Sequence, residues 1–368
     1  MRPSMRSTGC KAIRADGAGL RRGCAITNAP AGRRERTSSL RSEAAGKLFL
    51  SWWWFRHDEV VQLPAHARRY IEETAAECGA GALKRAAATI SRDYRERGYA
   101  RLDTTEEVAA YLATRMPATY AATHTVLRDV RARLGCGAVE SVLDIGAGPG
   151  GAALAAIQWF EPKRITLIER NARIAEAARA LVADAEIRVE DFRRVAEFPS
   201  HDLVIAAYSL GEASRPELLL RLWAAARVAF VVIEPGTTTG FALVRQSRTA
   251  LLAWGAHIVA PCPAANSCPI QEPDWCHFAA RVERTSLHRR LKEAELNYED
   301  EKYSYIAVAR QPAAPAPARV IRRPRQEPGL IVLETCTPEG LETVRATRRD
   351  PEKFRAARRA AWGDAFPA

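Results

Sequence analysis

The sequence predicts an α/β fold, a doubly wound and mostly parallel sheet with helices on both faces, and three observations lead there. Between residues 139 and 254, short apolar runs alternate with Ala- and Leu-rich stretches of helical length. Four of the runs, 141–145, 164–169, 202–207 and 228–233, are almost continuously apolar, as parallel strands covered on both faces must be. The first of them leads straight into a glycine-rich loop that opens a helical stretch, Asp144-Ile145-Gly146-Ala147-Gly148-Pro149-Gly150-Gly151.

The other elements are read in chain order. Residues 1–47 form a basic leader, rich in Arg, Gly, Ser and Ala and without periodicity, expected to be disordered and also close to a mitochondrial transit peptide in composition. The aromatic run 51–55 suits a packing anchor. Residues 48–135 read as an N-terminal helical region, with apolar positions three and four apart at Tyr70, Ala75 and Cys78 and again at Leu83, Ala87 and Ile90. Pro117 should break or kink a helix there. The α/β domain spans 136–310 and includes a Cys-rich segment, 257–277; a helix over 287–296 and a last strand over 303–308 close it. Residues 311–318 are a stiff Pro/Ala linker. A basic C-terminal extension, 319–368, should hold β elements at 330–333 and 343–347 and a short helix near 352–362.

The net charge of +12 sits at the two ends: +8 in residues 1–47 and +5 in 310–368, which leaves the body at −1. Basic ends on a near-neutral body fit a polyanionic partner, and RNA is the expected one, held by the arginines of 319–325 and 345–359. No apolar run reaches the length of a membrane span. Nor does any stretch have the layout of a secretory signal, so the eight cysteines suit a reducing compartment and no disulfide partner is expected.

The glycine loop satisfies G-x-G-x-x-G, which by itself fits a dinucleotide as well as S-adenosylmethionine. Asp144 favours the latter. It stands two residues before Gly146, where a dinucleotide would put its pyrophosphate, and a carboxylate there repels an anion but welcomes a sulfonium and an ammonium. Glu169 ends the second strand and suits the ribose hydroxyls; Asp191 follows the third strand expected at 186–189, where the adenine amino group would be met. Asp144, Gly146, Gly148, Gly150, Glu169 and Asp191 are the candidate cofactor-binding residues. Together they resemble a class I S-adenosylmethionine-dependent methyltransferase (Rossmann-like) pattern. No catalytic residue stands out: Tyr208-Ser209 after the fourth strand is a weak base clamp, and no lysine is placed to act as a general base there.

Cys262, Cys268 and Cys276 follow a C-x5-C-x7-C spacing, and Cys336 lies beyond the linker. Zinc knuckles use tight C-x2-C pairs, which are missing, while wide spacing with Cys-Pro suits an iron–sulfur cluster; zinc is the alternative metal, and His257 and His277 are alternative ligands. Pro261-Cys262 also resembles the nucleophile of RNA cytosine-5 methyltransferases, but it does not follow the fourth strand as theirs does.

His257-Ile258-Val259-Ala260-Pro261-Cys262-Pro263, Asp274-Trp275-Cys276-His277-Phe278, Tyr298-Glu299-Asp300-Glu301-Lys302 and the stretch from Tyr111 through Arg115-Met116-Pro117 to Tyr120 resemble the Rsm22 family. Its members include mitochondrial methyltransferase-like proteins that assist assembly of the small ribosomal subunit, with bacterial homologues. The resemblance implies a class I methyltransferase fold, association with small-subunit ribosomal RNA, and a 4Fe–4S cluster on Cys262, Cys268, Cys276 and Cys336. It leaves two functional readings, an rRNA methyltransferase and a catalytically silent RNA-binding assembly factor. The Arg/Ala-rich style favours a bacterial cytoplasm, with the mitochondrial matrix as the setting in a eukaryote.

Overall fold

The computed structural model describes residues 59–135, 137–212 and 216–367; the basic leader, the aromatic run 51–55 and Cys10, Cys24 and Cys136 lie outside them. After β1 (Val60–Val61), four helices precede the main sheet: α1 (Ala65–Ala76), α2 (Ala80–Arg97), α3 (Thr105–Thr114) and α4 (Met116–Leu134). α3 opens on a capping box, in which Glu107 N–H donates to the Thr104 hydroxyl at 3.2 Å and Thr104 N–H donates to the Glu107 carboxylate at 3.0 Å. Pro117 falls in the first turn of α4, where its missing N–H has no partner to lose, so it starts a helix rather than kinking one. α4 is the innermost helix, with Met116, Tyr120, Val126 and Leu127 sealed from water.

Strands and helices then alternate: β2 (Ser141–Ile145), α5 (Gly151–Phe160), β3 (Arg164–Glu169), α6 (Ala172–Leu181), β4 (Glu186–Val189), β5 (His201–Ala207), α7 (Pro216–Ala225), β6 (Ala226–Pro235) and α8 (Thr238–Ala253). The five strands lie parallel in the order β4-β3-β2-β5-β6. β7 (His257–Ala260), β8 (Phe278–Glu283), the short α9 (Ser286–Lys292) and β9 (Tyr298–Ala309) complete this half. β9 runs antiparallel to β6, carries β8 and β7 on its other edge, and β1 extends β8. Parallel strands reversing order between β2 and β5, with an antiparallel strand beside β6, make the Rossmann-like layout of class I methyltransferases.

The last strand is thus twice the expected length. Its Tyr-Glu-Asp-Glu-Lys half pairs with β8, and two successive acids meet cationic partners: Arg281 grips Asp300 at 2.7 and 2.9 Å, and Glu299 takes Arg284 and Lys292 at 2.8 and 2.9 Å.

A second, antiparallel sheet follows: β10 (Ala318–Val320), β11 (Arg325–Glu327), β12 (Leu330–Thr337), β13 (Gly340–Thr347) and, after α10 (Pro351–Arg359), β14 (Ala365–Phe366). α10 covers one face of it over Val320, Ile331, Leu333, Ala346 and Phe366. Arg319 joins this sheet to the rest. It is 2% exposed, and its guanidinium sits 2.8 Å from Asp129 on α4 while donating to the carbonyls of Pro261 at 3.0 Å and Gly363 at 2.8 Å. The expected role of Arg319 in gripping RNA is therefore corrected: a side chain closed off from water on every side is a structural tie. Arg322 is likewise held by Asp274. Arg345, Arg348, Arg349, Arg355 and Arg358 stand exposed. Among the described residues no helix is long and apolar enough to cross a membrane.

Candidate functional site

The carboxyl ends of β2, β3, β5 and β6 open into a cavity of about 1440 Å³, roofed by α2, α3 and α4. The glycine loop forms its floor. Gly146 and Ala147 donate to the Ile168 carbonyl at 2.9 and 3.1 Å, which pins the loop to β3. Gly146 has φ +65°, and a Cβ there would stand 2.7 Å from Cβ of Ser209, so the close approach of two strand ends admits only glycine. Gly148 faces the cavity, where a Cβ would meet only the Tyr111 hydroxyl, at 3.8 Å.

The acids differ in what they hold. Asp144 is 1% exposed, its Oδ2 has no hydrogen-bond partner, and burial pushes it up to about 7. Glu169 accepts the Gly148 N–H at 2.9 Å and the Asn171 N–H at 2.8 Å, one on each oxygen, and burial raises it too. It therefore sets the loop as well as facing the cavity. Glu234, which the sequence reading passed over, stands next to last in β6, much as Glu169 stands last in β3, and accepts the N–H groups of Leu210 and Gly211 at 2.9 and 3.2 Å. A carboxylate closing a buried apolar strand was the signal for both.

Two candidate residues lie off the lining. Gly150 faces backward; a Cβ on it would stand 2.6 Å from Val182 Cγ2. Asp191 is gripped by the guanidinium of Arg193 at 2.8 and 3.0 Å, which holds its carboxyl down at about 2, while the neighbours Phe192 and Arg193 line the cavity. Tyr208 lines it as well, with the left-handed φ of +57° that bulky residues avoid; its hydroxyl is pushed well above its ordinary range by burial first and then by Glu301. No lysine or histidine is among the described residues of the lining.

The four cysteines come together elsewhere. Cys262 follows β7, Cys268 and Cys276 belong to the loop before β8, Cys336 is on β12, and all four line one cavity of about 310 Å³ with Phe241, Ile270 and Ile321. Two buried guanidiniums flank it. Arg248 donates to the Ala264 carbonyl at 2.9 Å and staples the loop, and Arg319 holds Pro261 beside Cys262. Ser304 on β9 donates to the Cys276 carbonyl at 2.7 Å. Burial raises the thiols of Cys262 and Cys276 and pushes Cys336 up to about 12, and the neighbouring thiols add to this. Without a metal ion to hold them, Cys262, Cys276 and Cys336 stay protonated. As they stand, no three His, Cys, Asp or Glu side chains among the described residues form a group able to hold a metal ion. The donor set nevertheless suits a soft metal: four sulfurs from two segments, the loop between β7 and β8 and strand β12, in an apolar chamber with two cations to balance thiolate charge. His257 and His277 are not on the lining; His277 is stacked on Trp275, with ring centres 5.0 Å apart, and meets Trp362 edge-on.

A family model described as mitochondrial small ribosomal subunit Rsm22 matches residues 105–367. The chain is 26% identical over 338 residues to Rsm22-cox11 tandem protein 2, mitochondrial, of Schizosaccharomyces pombe, covering 72% of this chain and 43% of that one. To the human ribosome assembly protein METTL17, mitochondrial, it is 25% identical over 292 residues, covering 70% of this chain and 62% of that one. It thus spans about half the length of the curated relatives it matches. Among solved structures, that of the plantazolicin methyltransferase BpumL in complex with SAH aligns with 66% of this chain and 99% of its own, at 13% identity and a TM-score of 0.35.

Proposed function

Because this chain belongs to the Rsm22 family of mitochondrial small ribosomal subunit proteins, we propose that it binds S-adenosylmethionine in the glycine-loop cavity, holds a 4Fe–4S cluster on Cys262, Cys268, Cys276 and Cys336, and acts on the immature small ribosomal subunit through its RNA. One observation carries the donor assignment: the cavity floor combines a glycine loop with the buried carboxylates of Asp144, Glu169 and Glu234, a setting hostile to pyrophosphate and suited to a cation. Asp144, Gly146, Gly148 and Glu169 would hold the donor, with Gly150 shaping the loop from behind and Asp191 setting Phe192 and Arg193. Bound S-adenosylmethionine supplies an electrophilic methyl group. The cluster, for which zinc is the alternative, supplies a tie between the two sheets.

The lack of an uncommitted base favours the second reading, a catalytically silent assembly factor. A 2′-hydroxyl or base amine needs a proton acceptor near the methyl group; the described lining provides neither lysine nor histidine, and its carboxylates Asp144, Glu169 and Glu234 are taken up by the donor's charge or by loop N–H groups. The relatives named above are mitochondrial proteins, so in a eukaryote the mitochondrial matrix is the proposed location; they lend no support to the bacterial cytoplasm that composition favoured.

The deciding experiment is complementation of a strain lacking the protein. An Asp144→Ala variant that restores small-subunit assembly, where Cys262→Ser or a combined Arg345, Arg348, Arg355 and Arg358 to Ala variant does not, supports the silent factor. An Asp144 variant that loses one methylated ribosomal nucleotide supports the enzyme. The arginine variant should also flatten the dependence of RNA affinity on salt, since each phosphate contact released returns counterions.

The Asp144 carboxyl gives a pH signature. Its raised value near 7 means that below neutrality it is protonated and offers a cationic ligand no charge. S-adenosylmethionine affinity should therefore rise about tenfold between pH 6 and pH 8, and Asp144→Asn should flatten the profile. In the free protein the sign is opposite: the folded state holds this proton more tightly than the unfolded chain, so stability from this group declines as pH climbs toward 7. A wild-type affinity independent of pH would remove Asp144 from the donor's charge environment.

A further inference from the structure

The stretch from Tyr111 to Thr123 runs through the α3–α4 junction and turns one helical face to the glycine loop, with Tyr111, Arg115, Thr119 and Thr123 on the cavity lining four residues apart. The Tyr111 hydroxyl is 3.8 Å from where a Cβ on Gly148 would stand, and Thr119 Oγ1 is 3.8 Å from the same point on Gly151. Arg115 lies between them. Its Nε is sealed from water without a hydrogen-bond partner, and the Tyr94 ring lies 5.0 Å from the guanidinium carbon. Glu301 is the carboxylate that acts on it most strongly, yet none of the described residues forms an ion pair with it. Glu301 favours the charge from beyond ion-pair reach, so a planar fork of donors facing the cavity remains open to receive a planar anion.

We propose that Arg115 receives the carboxylate of the donor's amino-acid end, so that the N-terminal helices, and not the sheet alone, complete the S-adenosylmethionine site. This rests on the donor reading above. That end of the ligand carries an ammonium and a carboxylate side by side. The buried acids of the floor suit the first, and Arg115, with the hydroxyls of Tyr111 and Thr119 as neighbours, suits the second. RNA phosphate is the other anion that could reach the fork, and the test separates the two.

Calorimetry on the full chain with S-adenosylhomocysteine and with its decarboxylated analogue provides that test. Arg115→Ala should weaken S-adenosylhomocysteine about 10- to 100-fold, the worth of a charge-assisted pair, and leave the analogue's affinity unchanged. Arg115→Lys should recover part of the loss. Intact analogue binding by Arg115→Ala shows that the pocket still folds. Equal losses for both ligands would make Arg115 a structural residue, and no loss for either, with weakened binding of an RNA fragment, would make it a phosphate receptor; each overturns the proposal. A wild type that binds neither ligand sinks the donor reading and this proposal with it, whereas a wild type that binds both and is indifferent to Arg115 sinks this proposal alone.

Discussion

Asp129→Ala should cost about 3–5 kcal/mol of folding stability, read as a lowered denaturant midpoint, because it strands the Arg319 guanidinium without its counter-charge in a buried site. Asp129 Oδ2 is 2.8 Å from Arg319 and accepts the Tyr305 hydroxyl at 2.9 Å, while Arg133 approaches the other oxygen at 3.2 Å. The side chains of Arg319 and Asp129 are 2% and 12% exposed, so water can do little to replace the pair. The control follows from the same physics. Removing both charges, as Asp129→Leu with Arg319→Met, takes away the desolvation cost along with the attraction and should recover much of the loss. A single-variant cost below about 1 kcal/mol would mean that the site is solvated and the tie weak.

The second large effect is expected at Cys336→Ser. Cys336 is the one member of the thiol set on the second sheet, so a shared cluster would bind β12 to the loop after β7. Metal ligation of this kind is folding free energy, on the order of 10 kcal/mol in small metal-dependent domains. Anaerobically purified Cys336→Ser should lose its iron and sulfide, and residues 311–368 should become open to limited proteolysis while the parallel sheet survives. Wild-type protein that is colourless and contains only zinc would defeat the iron–sulfur assignment. Arg319 and Asp129 hold the same boundary by a different means, which makes the comparison with Asp129→Ala informative: that variant should keep its iron.

The parallel strands were legible because burial on both faces demands unbroken apolar runs, and β2, β3, β5 and β6 have them. The glycine loop was legible for a similar reason, since a close backbone approach leaves few residue choices. What hid were elements stabilised by partners far along the chain. The first half of β9 spells Tyr-Glu-Asp-Glu-Lys and looks like a solvated loop, until Arg281, Arg284 and Lys292 are seen to meet its acids. β10, β11 and β14 are two or three residues long, too short for any periodicity to register. Arg319 carried no mark separating it from the exposed arginines around it; only its contact with Asp129, 190 positions away, does so. Asp191 sat where an adenine contact was expected, but its neighbour Arg193 claims it. Arg115 shows the converse case, a charge in an apolar helical stretch whose meaning appears once the loop it faces is known.

β9 also has a consequence for the order in which the protein can be made. It lies between β6 and β8 in space, yet it is the last strand of its sheet to leave the ribosome. Until residue 309 has emerged, β6 presents an open row of backbone donors and acceptors beside the apolar run Phe230-Val231-Val232-Ile233, a ready template for pairing with another nascent chain. The parallel strands can assemble early, but the sheet closes late, by an insertion rather than an addition at its rim. A polysome synthesising this protein therefore carries a sticky edge for part of each round, and shielding by a chaperone would matter most in the interval between release of β6 and arrival of β9.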